Sequence, residues 1–277
     1  MDYIEVNIPI TNNELGEILI AELSDLPFEG FEQNSTLIKA YIPQEILPDY
    51  KEQVDSIIAK YNISDSRYIS IESKNWNQEW ESNFERVEIE DKILIRAPFH
   101  TPDNRFEHEV VIMPKMSFGT GHHATTHLCS DMLTKMNISA KRGLDMGSGT
   151  GVLSIIAIKY GAESMDAIDI DEWAYENCSE NLAQNNAEGK VTPHLGNALL
   201  LEGKNYDFVV ANINLNILLS DMHRYILTLS GGGELIMSGF FVSDIPSLKA
   251  KAESLGMRYL GHNEREGWAV IHLVKQV

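Results

Sequence analysis

One heptapeptide constrains this chain more than any other feature: Asp145-Met146-Gly147-Ser148-Gly149-Thr150-Gly151. It separates a short strand predicted at 142–146 from a helix predicted at about 151–160. Glycines at such a junction allow a tight turn and let a ligand lie against the backbone at a helix N-terminus. From residue 121 onward, strands and helices alternate. Strands are expected at 165–170, 191–195, 206–211 and 234–237, with helices at 172–185, 214–229 and 243–255. This order implies a mostly parallel sheet with helices on both faces. Two last strands, 257–263 and 268–274, are joined only by Glu264-Arg265-Glu266-Gly267. That link is too short for a crossover, so the pair is antiparallel.

The spacing of the loop decides what it can hold. A dinucleotide fingerprint needs G-x-G-x-x-G, and here the third glycine falls one residue early. Asp145, directly before the loop, would repel a pyrophosphate. It suits S-adenosylmethionine, whose methionine part carries an ammonium and whose sulfur is cationic. Asp169 ends the next strand and can accept hydrogen bonds from both ribose hydroxyls. Asp171 is the competing acid, but it begins the following helix and reads as a charge at the helix start. Cofactor contacts are therefore expected from Asp145, Gly147, Ser148, Gly149 and Asp169. Asn212 stands at the carboxyl end of an apolar strand, where ligands bind in such sheets, and its amide can accept a hydrogen bond from an amine. Asn214 is the expected cap of the next helix, which leaves Asn212 free. The segment 116–126, MSFGTGHHATT, precedes a helix and is placed to fold over a cofactor. His123 and His127 are four apart, but Ala124 replaces the glutamate of H-E-x-x-H and no third ligand is evident, so no metal is expected.

The first seventy-two residues read as a separate domain. A strand at 2–9 precedes a capping box at Thr11 and Glu14, with Leu15, Ile18, Leu19 and Leu23 at helical spacing behind it. Short strands at 28–33 and 36–42 follow. A second helix carries Tyr50, Val54, Ile57, Ile58 and Tyr61 on one face, and 67–72 is a strand. The order β-α-β-β-α-β is that of a small α+β, ferredoxin-like fold, which by itself assigns no function. Residues 74–84 bring Trp76, Trp80 and Phe84 at four-residue spacing, which predicts a short helix whose aromatics pack. The expected divisions are 1–72, a linker at 73–90, and a large domain at 91–277.

Charge narrows the partners. Forty-one acidic residues against 22 basic give a net of −19. Residues 1–72 hold fourteen of the acids and only four basic residues (Lys39, Lys51, Lys60, Arg67), a net of −10. Such a surface repels phosphate backbones and attracts basic partners; that it only maintains solubility is the alternative. The two cysteines, Cys129 and Cys178, form no C-x-x-C pair and read as buried apolar residues in a reducing compartment. No run of eighteen apolar residues appears, and the opening residues lack a basic stretch followed by an apolar one. A cytoplasmic protein with no membrane association is expected.

Several segments together resemble one family. Asn75-Trp76-Asn77-Gln78-Glu79-Trp80, Phe118-Gly119-Thr120-Gly121-His122-His123 with Thr125-Thr126, the glycine loop, Asp169-Ile170-Asp171 and Val210-Ala211-Asn212-Ile213 are similar to the PrmA family. These are bacterial methyltransferases of ribosomal protein eleven of the large subunit. Five parallel strands and a hairpin match the strand count of the seven-stranded methyltransferase sheet. The resemblance implies a Rossmann-like class I methyltransferase domain behind a ferredoxin-like substrate-recognition domain, joined by a linker. It implies N-methylation, up to trimethylation, of lysine ε-amines or the N-terminal α-amine of that ribosomal protein. It also implies cofactor contacts at Thr126, Gly147, Asp169 and Asn212; a monomer is expected, and the net charge argues against direct contact with nucleic acid. Residues 210–213 lack the Pro-Pro-aromatic of amide and nucleobase methyltransferases, which argues against planar nitrogen substrates. No general base is evident, and Asn212 is the candidate for positioning the amine. An NAD-dependent oxidoreductase, a non-catalytic binding protein and a nucleic-acid methyltransferase are the rival readings.

Overall fold

The computed structural model describes residues 2–71, 84–115 and 117–277, in two compact units, 1–83 and 84–277. Apart from Phe84, the aromatic stripe expected over 74–84 lies outside the described residues.

In the first unit, β1 (Tyr3–Pro9) pairs antiparallel with β3 (Leu37–Pro43) and β4 (Arg67–Ile71), and β2 (Gly30–Gln33) pairs with β3. The order β2-β3-β1-β4 is ferredoxin-like. Alternation along β1 and β3 sends Ile4, Val6, Ile8, Ile38, Ala40 and Ile42 to one side. There they form one core with Leu19 and Leu23 of α1 (Asn13–Leu23) and Val54 and Ile58 of α2 (Leu47–Lys60). The cap of α1 is Asn12 rather than Thr11. Its side-chain oxygen accepts from Leu15 N at 2.9 Å. Thr-Asn-Asn offers overlapping caps of similar strength, so spacing alone could not choose between them.

The second unit opens with a small sheet that sequence periodicity did not show. β5 (Val87–Ile89) is antiparallel to β6 (Ile93–Arg96), which is parallel to β7 (His108–Val111). Residues 87–90, read as part of a linker, thus belong to this unit, while 73–83 lie outside the described residues. The main sheet comprises β8 (Arg142–Met146), β9 (Ser164–Asp169), β10 (Val191–Leu195), β11 (Tyr206–Asn212), β12 (Leu229–Phe241), β13 (Met257–Arg265) and β14 (Trp268–Lys275). Its order is β10-β9-β8-β11-β12-β14-β13. The first five strands in that order are parallel, and β14 runs antiparallel between β12 and β13. This is the expected seven-stranded α/β architecture.

The buried strands explain the two cores. Along β11, Phe208 and Val210 join one cluster while Val209 and Ala211 join the other. A strand covered on both faces reads as a continuous apolar run. Helices α3 (Ala124–Lys135), α4 (Val152–Lys159) and α5 (Glu172–Gln184) contribute Leu128, Ile156 and Leu182 to the first cluster. Helices α6 (Leu215–Thr228) and α7 (Ile245–Ser254) contribute Met222 and Leu248 to the second. Gly231–Gly233 lie within β12, which is therefore far longer than the predicted 234–237. Among the described residues, no helix is long and apolar enough to cross a membrane.

Candidate cofactor and active site

The turn from β8 into α4 is built of left-handed glycines. Gly147, Gly149 and Gly151 have φ of 74°, 52° and 77°. A Cβ on Gly147 would stand 2.1 Å from Ile213 Cγ2, and one on Gly149 would stand 2.2 Å from the Phe118 carbonyl oxygen. Conformation and space both exclude a side chain here. The N–H groups of Gly147 and Ser148 donate to the Ile168 carbonyl at 2.8 and 3.1 Å. The Gly149 N–H donates to Asp169 Oδ2 at 2.8 Å. Asp169 thus holds the loop, and its other oxygen accepts from Asp171 N at 3.1 Å. Each oxygen keeps a further lone pair for a ligand hydroxyl. Asp171 caps α5, accepting from Trp173 N at 2.8 Å.

Asp145 and Asn212 end adjacent strands on the same face. β8 and β11 pair with Val210 opposite Asp145, and alternation places Asn212 on the side of Val210. Asp145 is fully buried. Its Oδ2 accepts from Ser154 N at 3.1 Å and Ser154 Oγ at 2.8 Å, while its Oδ1 has no partner. Burial pushes its pKa up to about 7; the two Ser154 bonds oppose this, and the charge of Asp169 adds to it. Asn212 is 9% exposed, and its Nδ2 donates to Thr126 Oγ1 at 3.4 Å. Its Oδ1 also has no partner. Asn214 caps α6, accepting from Ile217 N at 3.1 Å, so Asn212 has no cap to make. Thr126, fully buried, comes from the first turn of α3.

The segment before α3 is strapped onto the glycine loop. Thr150 N donates to the Phe118 carbonyl at 3.0 Å, and Thr150 Oγ1 donates to the Gly119 carbonyl at 2.6 Å. His123 is the cap of α3: its Nδ1 accepts from Thr125 N, and its ring meets Trp268 edge-on at 4.8 Å. His122 Nε2 donates to the Glu85 carbonyl at 2.8 Å, and its ring lies against Phe84 at 4.8 Å. His122 and His123 thus have structural partners, and no metal-holding cluster occurs among the described residues.

Three large apolar residues in or beside the motifs are exposed, Phe118, Ile170 and Trp173, at 53%, 70% and 76%, and of these Trp173 was not named from sequence. An open cavity of about 500 Å³ is lined by Lys115, Ser117, Asp171 and Trp173. Phe118 and Ile170 belong to the motifs themselves, and Trp173 follows Asp171 by two positions. Their signal was an apolar side chain where the carboxyl edge of the sheet must be exposed. Both cysteines are buried, and burial pushes Cys178 up to about 12 and raises Cys129 as well, which disfavours the thiolate. The described site thus has backbone amides, two carboxylates and one amide, without a nucleophile–base pair.

Known proteins show the same plan. A chain from Lactobacillus delbrueckii subsp. bulgaricus, described as ribosomal protein L11 methylase, superposes with a TM-score of 0.64 at 21% identity. The match covers 70% of this chain and all of that one, and establishes the shared fold. A Porphyromonas gingivalis protein named ribosomal protein L11 methyltransferase is 43% identical over 92% of this chain and 89% of its own length. A Phocaeicola vulgatus protein of the same name is 38% identical over 99% of both chains. The family model for ribosomal protein L11 methyltransferase (PrmA) matches residues 11–276. With that match spanning both units, the chain belongs to the PrmA family.

Proposed function

We propose that this chain is an S-adenosylmethionine-dependent protein methyltransferase that N-methylates amines of ribosomal protein L11, lysine ε-amines or the N-terminal α-amine, up to the trimethyl state. The observation that carries the reading is the pair of buried oxygens without partners, Asp145 Oδ1 and Asn212 Oδ1, at the ends of adjacent strands beside a glycine cradle. Buried acceptors are normally satisfied, so two together call for a donor-bearing, cationic guest. S-adenosylmethionine fits: it has an ammonium for carboxylate and amide, and ribose hydroxyls for Asp169. Gly147, Ser148, Gly149 and Thr126 complete its cradle. When bound, it supplies an electrophilic methyl group on a cationic sulfur.

The chain's own task is then proximity and alignment. The departing sulfide is neutral, so no acid is needed. The incoming amine must be unprotonated, and free lysine has a pKa of about 10.4. A pocket partly closed to water favours the neutral amine. Asn212 positions that amine or the cofactor's methionine end, and no residue in the described site is required as a base. The first unit selects the substrate. Three of the four basic side chains of residues 1–72 are paired with carboxylates of the same unit, Lys39 with Glu5, Lys51 with Asp55 and Lys60 with Glu22. The remaining described acids are exposed, in excess of the basic residues, and attract a basic ribosomal protein.

The test is transfer of isotopically labelled methyl groups to purified ribosomal protein L11, read by mass spectrometry of its lysines and N-terminus. Labelled N-methyl groups are the expected outcome. Unlabelled L11 from a reaction in which the enzyme demonstrably binds the cofactor would defeat the substrate assignment.

A further inference from the structure

Helix α5 carries asparagines at four-residue spacing: Asn177, Asn181 and, at its C-cap, Asn185. Asparagine is a poor helix former, so a row of them on one face needs an offsetting interaction. Asn185 pairs with the backbone of β7. Its Oδ1 accepts from Val111 N at 2.8 Å, and its Nδ2 donates to the Val111 carbonyl at 2.6 Å. Asn181, fully buried, does something different. Its Oδ1 accepts from Met113 N at 2.9 Å. Its Nδ2 donates to the Thr150 carbonyl at 3.0 Å and to Asn177 Oδ1 at 2.6 Å.

Thr150 is the residue whose N–H and hydroxyl hold the strap at Phe118 and Gly119. One amide therefore ties the glycine loop to the chain that leads into the strap. We infer that Asn181 is a positioning residue for the cofactor. It fixes the loop and the strap as one body before the cofactor arrives, so that binding need not order them. The inference rests on the reading of the glycine loop as an S-adenosylmethionine cradle. Loss of the amide would leave the Thr150 carbonyl and the Met113 N–H without partners in the interior, and the loop would open to water to satisfy them.

Asn185 supplies the control, because its half-buried amide bonds the same segment at Val111, and the Asn181 carbonyl, without touching the loop. Asn181→Asp keeps an acceptor for Met113 N but turns a carboxylate toward the Thr150 carbonyl and Asn177 Oδ1. Calorimetry with S-adenosylmethionine should show its Kd raised about tenfold or more. Its kcat at saturating cofactor should stay within about threefold of the unaltered protein, so that the defect appears in the cofactor KM. Asn185→Leu should lower Tm yet leave the cofactor Kd within about twofold. Equal shifts of Kd in the two variants, or a native Kd in Asn181→Asp, would overturn the assignment. If Asn181→Asp does not fold, hydrogen exchange on the unaltered protein decides. Any opening that frees Met113 N also frees the loop, so cofactor should slow exchange at Met113 together with Gly149 and Thr150. Slowing at the loop with Met113 unchanged would overturn it. Absence of cofactor binding by the unaltered protein would instead overturn the reading of the loop, and this inference with it.

Discussion

At the scale of single residues, Asp145 sets a pH dependence whose sign follows from its surroundings. Burial raises its carboxyl from the ordinary 3.8 to about 7. The fold thus favours the protonated form; that contribution is complete below about 3.8 and is lost as pH rises through about 7. A cationic guest favours the carboxylate, so binding must expel a proton below neutrality. Cofactor affinity should therefore weaken as pH falls below about 7, by at most about tenfold per unit. Asp145→Asn should flatten that profile. Calorimetry in buffers of different ionisation enthalpy reads the released proton, and an unchanged slope in the variant would refute the role. Gly147→Val tests the cradle itself: with Ile213 in the way and φ positive, cofactor binding should fall about tenfold or more. Undiminished binding would remove the loop from the site. The loop, Asp145, Asp169 and Asn212 were all legible in the sequence, because a glycine or a polar residue at a strand end breaks an otherwise apolar pattern. The contact of Thr126 with Asn212 was not, since it joins residues 86 positions apart. Nor was Asn181, because an asparagine inside a helix carries no outward sign of the carbonyl it will meet.

At the scale of elements, the end of α6 shows how a distant strand completes a helix. Lys275, at the end of β14, donates to the carbonyls of Ile226 and Leu229 at 2.8 and 2.6 Å. The Ile226 carbonyl already accepts from the N–H of the cap residue Leu229, so the ammonium adds a second donor there, and its charge suits the negative end of the helix. Lys275→Met should cost about 1–2 kcal/mol. In a unit of this size that lowers Tm by a few degrees, about 2–4 °C per kcal/mol. A melting temperature equal to that of the unaltered protein would show that solvent satisfies those carbonyls as well. Elements with a long period were readable, among them the buried run of β11 and the apolar stripe of α2. The sheet of β5, β6 and β7 was not, because strands of three or four residues are too short to display alternation. β12 was cut short for another reason: three glycines interrupt the apolar pattern, and only the pairing of Leu229 with Tyr206, across an irregularity in register, carries the strand past them.

At the scale of the whole molecule, charge is unevenly placed, and the first unit carries a net of −10 over residues 1–72. A chain beginning at Phe84 retains the entire described cofactor site and should keep the cofactor Kd while losing turnover on ribosomal protein L11. Added salt should weaken the substrate KM of the full chain far more than its cofactor Kd, since charges about a Debye length apart, roughly 8 Å at physiological ionic strength, are screened. A shortened chain that methylates L11 at the full rate would show that the first unit does not select the substrate. The order of the main sheet has a different consequence, for the way the molecule is made. β14 is synthesised after β13, yet it lies between β13 and β12. During translation β13 has no strand to pair with until the chain beyond it has emerged. The second unit therefore cannot close its sheet progressively as it is synthesised. Until Trp268–Lys275 slots in, the edge of β12 stands open, and this is the interval in which the nascent protein most needs protection from pairing with a neighbour.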